Sequence, residues 1–302
     1  MRAAAAAAAL AVGAGMLSGC TPRPDERPLV VVSTNILGDV VSNLVGDDVE
    51  VITLMRPGAD PHSFEISASE AARMRSADLV VSNGLGLEER LQQHLDAAAD
   101  EGVATFVAGD VVEVLPYTST DAGRADDPHF WTDPAQTIAV VDALVPALEA
   151  INGVDASTVA SRSADYRIAL QELDADMSAA FTVIPSERRA LVTNHHVFGY
   201  LAERFHFRVV GAVIPGGTTL AAPSASDLAG LVSAIDEAGV RTIFAESSQP
   251  DRLVQALAQE ADLDVAVTEL FTESLTDSAG GAPTYLTMMR VNTERIAMGL
   301  SP

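Results

Sequence analysis

Six histidines occur among the 302 residues, and three of them stand where a chain usually presents binding groups. His62 lies in Gly58-Ala-Asp-Pro-His-Ser-Phe-Glu65, His129 in Asp127-Pro-His-Phe-Trp131, and His195 in Thr193-Asn-His-His-Val-Phe-Gly-Tyr200. The first two sit beside turn formers, and the third closes an apolar run. Loops and strand ends are where a rigid scaffold presents functional groups, and neutral imidazole is the commonest metal ligand. The pattern points to a metal site assembled from distant parts of the chain. The plainer alternative is three polar loop or packing residues.

Such a site needs elements to position it. In open α/β sheets, ligands bind beyond the carboxyl ends of the strands. Short β-branched runs at 29–34, 49–55, 78–82 and 104–107 read as strands, followed by helical stretches at 37–44, 67–75, 87–99 and 134–151. Ser67 and Glu70 suit a capping box, and Pro134 suits a first helical turn. The second half repeats the plan, with strands at 189–193, 208–214, 241–245 and 265–270 and helices at 197–204, 224–238, 250–261 and 283–300. The alternation predicts an α/β fold of two lobes, each a parallel four-stranded sheet flanked by helices. Between them Val159, Tyr166, Leu170, Leu173, Met177 and Phe181 line one face of a long helix, and Pro185 lies just beyond its end. The expected boundaries are an N-terminal lobe at 29–155, a linking helix at 156–184 and a C-terminal lobe at 185–302. One unbroken helix would join the lobes stiffly and place the site in the cleft between them; the alternative is a helix packed within a single domain.

Residues 1–19 read as a signal segment: Arg2, then a small-residue apolar run too short to span a bilayer comfortably. The run ends in Leu17-Ser-Gly-Cys20, which resembles a bacterial lipobox, so Cys20 is the expected lipidation site and residues 20–28 a proline-rich tether. Cys20 is the only cysteine, which excludes disulfides within the chain and thiolate zinc sites. The formal charge is −24, and all 18 basic residues are Arg. That acidity argues against nucleic-acid and anionic-lipid partners. It would attract cations only weakly.

A closed zinc site takes four tetrahedral donors. Without sulfur, the fourth is expected to be a carboxylate from the second lobe. The strand at 265–270 leads into Glu273, with Asp277 four residues further on; both are candidates.

The chain resembles the zinc/manganese substrate-binding lipoproteins of bacterial ABC importers. The matching pieces are Pro57-Gly-Ala-Asp-Pro-His-Ser-Phe-Glu65, Asp127-Pro-His-Phe-Trp-Thr-Asp-Pro134, His195-His-Val-Phe-Gly-Tyr200 and Thr284-Tyr-Leu-Thr-Met-Met-Arg-Val-Asn292. The resemblance implies two α/β lobes joined by a long helix, and metal ligands at His62, His129 and His195. Spacing back from Tyr285 puts the fourth ligand, usually Asp in that family, on Glu273, with Asp277 as the alternative. It further implies capture of Zn²⁺, with Mn²⁺ the second choice, and delivery by a monomer to a membrane permease with a cytoplasmic ATPase. Lipid on Cys20 would hold the protein at the outer face of the cell membrane. The segment 116–127 lacks the His-rich run of many zinc members. The rival classes are a zinc metallohydrolase and a surface adhesin. No His-Glu-x-x-His helix supports the hydrolase, so the expectation is a binding protein and not an enzyme.

Overall fold

The computed structural model describes residues 27–117, 125–248, 252–260 and 265–301. Cys20, the signal segment and most of the tether lie outside the described residues. So does the middle of the 116–127 segment.

The first half folds as β1 (Leu29–Val32), α1 (Asn35–Val45), β2 (Glu50–Thr53), α2 (Ala68–Arg75), β3 (Leu79–Ser82), α3 (Gln92–Asp100), β4 (Thr105–Val107) and α4 (Pro134–Glu149). After α5 (Ala156–Thr182) the plan repeats: β5 (Ala190–Thr193), α6 (Gly199–Phe205), β6 (Arg208–Ala212), α7 (Ala225–Ala238), β7 (Thr242–Glu246), α8 (Arg252–Glu260), β8 (Ala266–Leu270) and α9 (Tyr285–Leu300). Two parallel four-stranded sheets result, ordered β2-β1-β3-β4 and β6-β5-β7-β8. In each, the chain reverses its winding direction between the two central strands, the topological position where such folds bind ligands. The central strands β1, β3, β5 and β7 are buried on both faces, which is why they read as continuous apolar runs.

Local chemistry sets the helix starts. Ser67 and Glu70 form the expected capping box of α2. Asp133 caps α4 through Ala135 N at 2.8 Å, with Pro134 in the first turn. The expected helix at 87–99 begins only at Gln92. Glu88 instead folds its buried carboxylate back onto Asn83 N (2.7 Å) and Gly84 N (3.1 Å), and Ser33 Oγ donates to it at 2.6 Å. These bonds hold 83–88 as a turn.

The 27 residues of α5 extend about 40 Å. Its buried positions are Val159, Tyr166, Leu170, Leu173, Met177 and Phe181. That stripe packs against α1 and α4 of the first lobe and against α9. One apolar cluster runs from Val30 and Leu44 through Leu170 and Met177 to Leu191 and Ile296. The lobes therefore share a core along the helix that joins them.

Candidate metal centre

Four loops at the carboxyl ends of strands converge between the sheets. His62 follows β2 and His129 follows β4; His195 comes directly after β5 and Glu273 after β8. His62 and His129 are both preceded by Asp-Pro, and the same local bond forms twice. Asp60 Oδ1 accepts from His62 N at 2.8 Å, and Asp127 Oδ1 from His129 N at 3.0 Å. Each bond tightens a turn that projects the imidazole inward.

Glu273 Oε1 lies 3.0 Å from His62 Nε2 and 3.3 Å from the Nε2 atoms of both His129 and His195. The Nε2 atoms of His129 and His195 are 3.4 Å apart. One potential donor atom from each of the four residues falls within 4.8 Å of the others. All four residues are at most 1% exposed.

The outer ring nitrogens explain which way the imidazoles are protonated. His129 Nδ1 lies 2.7 Å from Asp127 Oδ1. His195 Nδ1 is paired with Glu246 Oε1, which also accepts from His195 N at 3.2 Å. A carboxylate on Nδ1 keeps the proton there and leaves the Nε2 lone pair pointing at the other donors. His62 differs: among the described residues its Nδ1 has no hydrogen-bond partner, and it lies 3.8 Å from Glu89 Oε1.

Three imidazole nitrogens and a carboxylate oxygen crowded into one buried volume call for positive charge among them, supplied by protons or by a metal ion. Glu273 Oε2 is also buried without a hydrogen-bond partner among the described residues, an expensive arrangement for a carboxylate oxygen. The donor set fits a divalent metal ion. The electrostatics agree. Burial would raise the Glu273 carboxyl, but the His195 and His62 imidazoles outweigh it and hold the group well below its ordinary value. Burial would lower His195, but Glu246 and Glu273 lift it well above the ordinary imidazole value. His129 is raised too, because Asp127 overcomes the burial that opposes it.

Asp277 is not among the converging groups. It is exposed, and its Oδ1 accepts from Ala279 N at 3.0 Å. His196 is buried, with its ring 6.4 Å from that of Tyr117, and lies outside the cluster. His94 and His206 are exposed, and His206 adopts a left-handed conformation at the end of α6. Trp131 packs edge-on against His129 at 5.3 Å between ring centroids, and its Nε1 donates to Thr272 O at 2.9 Å. It screens the cluster rather than joining it.

Sequence reasoning alone does not pair Glu246, the last residue of β7, with His195. It missed the role of Asp127, although the repeated Asp-Pro-His was a visible signal. It also missed the bridges across the cleft, where Tyr117 Oη donates to Gly217 O at 2.9 Å and Thr219 Oγ1 to Asp60 Oδ2 at 2.7 Å. These depend on tertiary proximity alone.

The family model "ZnuA: Zinc-uptake complex component A periplasmic" matches residues 30–299. The zinc-binding protein TroA of Treponema pallidum is 30% identical over 95% of this chain and 96% of its own. The TroA structure superposes with a TM-score of 0.84 at 29% identity, covering 92% of this chain and all of that one. The manganese-binding lipoprotein MntA of Halalkalibacterium halodurans is 27% identical over 97% of this chain and 95% of its own. The manganese ABC transporter substrate-binding lipoprotein PsaA of Streptococcus pneumoniae is 26% identical over 94% and 92%. These relatives are binding proteins and not enzymes. With the match spanning nearly every described element, the chain belongs to the ZnuA family of metal-binding, periplasmic substrate-binding proteins of ABC importers.

Proposed function

We propose that this protein captures Zn²⁺ between its lobes outside the cytoplasmic membrane, with His62, His129, His195 and Glu273 as ligands. It then delivers the ion, as a monomer held by lipid on Cys20, to an ABC permease driven by a cytoplasmic ATPase. The observation that carries this reading is the buried convergence of three imidazole Nε2 atoms and one carboxylate oxygen. Three nitrogens and one oxygen suit tetrahedral zinc. A fourth protein donor also fills the position that a catalytic zinc would keep for water, which favours capture over hydrolysis. The lobes are taken as 29–155 and 185–302, with 156–184 as the stiff connection.

Manganese is the second reading, and one feature favours it. The free Glu273 Oε2 could make the carboxylate bidentate, adding the oxygen that harder ions prefer. Competition titration against a chromophoric chelator tests both readings. Zinc is expected to bind near nanomolar, about −12 kcal/mol, and more tightly than manganese. His195→Ala should lose most of that affinity; undiminished zinc binding in that variant would overturn the site.

A further inference from the structure

One residue outside the four-residue cluster bears directly on it, and it is a glycine. Gly199 is the first residue of α6. Its backbone does not adopt a left-handed conformation, so no positive φ calls for glycine there. Alanine is the better helix former. What excludes a side chain is space: a Cβ on Gly199 would lie 2.4 Å from Asp127 Oδ2 and 3.6 Å from Asp127 Cγ.

Asp127 has little room to yield. It is 1% exposed. Its N donates to Leu115 O at 2.8 Å, and its carbonyl accepts from Tyr200 Oη at 2.9 Å. Its Oδ1 is committed to His129 N at 3.0 Å and His129 Nδ1 at 2.7 Å. The carboxylate is planar and rigid, so swinging Oδ2 away from α6 turns Oδ1 off the imidazole. Gly230, inside α7, is not constrained in this way: among the described residues, an added Cβ there would meet nothing within 4 Å.

We infer that Gly199 is a positioning residue for metal capture. Its absent side chain makes the space in which the Asp127 carboxylate sits, and that carboxylate holds His129 with Nε2 facing the other donors. The inference rests on the zinc-capture reading of the cluster. It adds that a helix of the second half completes the support of a ligand from the first.

The test uses Zn²⁺ with a competing chelator on five variants of the full chain: Gly199→Ala, Asp127→Ala, the double variant, Gly230→Ala and His195→Ala. Gly199→Ala and Asp127→Ala should each weaken zinc binding by about 10–100-fold, the usual cost of losing an outer partner of a ligating imidazole. The double variant should match Asp127→Ala, because without the carboxylate the new Cβ has nothing to displace. Gly230→Ala should bind as the parent does. Imidazole ¹⁵N spectra of the metal-free protein should show the hydrogen-bonded His129 Nδ1–H in the parent and in Gly230→Ala, and its loss in Gly199→Ala. A Gly199→Ala variant with parental affinity, an unchanged His129 signal, or a double variant that loses the product of the single effects would each overturn the inference. If Gly199→Ala does not fold, the double variant must fold as Asp127→Ala does, and its failure to do so also overturns it. Parental zinc affinity in His195→Ala would instead remove the capture reading itself, a result distinct from any of these.

Discussion

His129 and His195 face each other across the cleft, with Nε2 atoms 3.4 Å apart and Nδ1 atoms held from behind by Asp127 and Glu246. Each imidazole is thus clamped by a carboxylate on its far side and aimed at the same small volume. A buried donor set so arranged gains from a cation, and a metal ion that binds only the folded chain stabilises it. Metal at about 100-fold over its dissociation constant adds about 2.7 kcal/mol, which for a chain of this size shifts the melting temperature by about 4–6 °C. Calorimetry of chelator-stripped protein with and without Zn²⁺ should show that rise. A melting temperature that zinc leaves unmoved would contradict a metal site in this cleft.

Glu246→Gln probes the clamp behind His195. The amide keeps the size of the carboxylate but loses its charge, so the imidazole is less firmly held with its proton on Nδ1. Zinc affinity should fall by about 10–100-fold while the far-ultraviolet circular dichroism stays unchanged. Asp277→Ala is the matched comparison: its carboxylate is exposed and bonded only within its own turn, so it should bind zinc as the parent does. The reverse ranking of the two variants would move the fourth ligand away from Glu273.

The fold was legible because its signals are local. β-branched runs marked the buried central strands, and the stripe from Val159 to Phe181 marked α5 residue for residue. The start of α3 was not legible, since what delays it is the Glu88 side chain bonding to Asn83 N and Gly84 N. Hydrophobic periodicity does not register such a bond. At the site, the three imidazoles stood out by their turn-forming neighbours, while Glu273 and Asp277 looked alike as two acids after one strand. The spacing back from Tyr285 favours Glu273, and in the folded chain Glu273 is 1% exposed beside the imidazoles while Asp277 is at the surface. The shared core along α5 was also invisible, because it depends on which helices flank that stripe.

The bridges across the cleft should govern release. Tyr117 Oη reaches Gly217 O, and Thr219 Oγ1 reaches Asp60, the residue that also bonds His62 N. Thr219→Val deletes one charge-assisted hydrogen bond, and Tyr117→Phe deletes the bond to Gly217 O together with a longer contact to His129 Nδ1 at 3.4 Å; each bond is worth about 0.5–1.5 kcal/mol. Affinity changes within one site fall mostly on dissociation. Stopped-flow removal of zinc by excess chelator should therefore run about 3–10-fold faster in each variant, with association nearly unchanged. Dissociation at the parental rate in both would show that this loop plays no part in retention.

Asp133 gives a pH dependence separate from the metal. Burial pushes its carboxyl from an ordinary 3.8 up to about 6, although Ala135 N and the Arg204 guanidinium pull it down. The folded state therefore holds a proton that the unfolded chain has released between about pH 4 and 6. Its contribution to stability is most favourable at the acid end, falls as pH rises through that window, and is constant above it. The cost at neutral pH is about 3 kcal/mol at most. Asn is as good a helix cap as Asp, so Asp133→Asn should keep α4 capped while removing the charge. Urea unfolding of the metal-free protein should show the variant more stable than the parent at pH 7.5 by about 1–3 kcal/mol, with the advantage gone near pH 4. A variant less stable than the parent at pH 7.5 would mean that Arg204 compensates the buried charge in full.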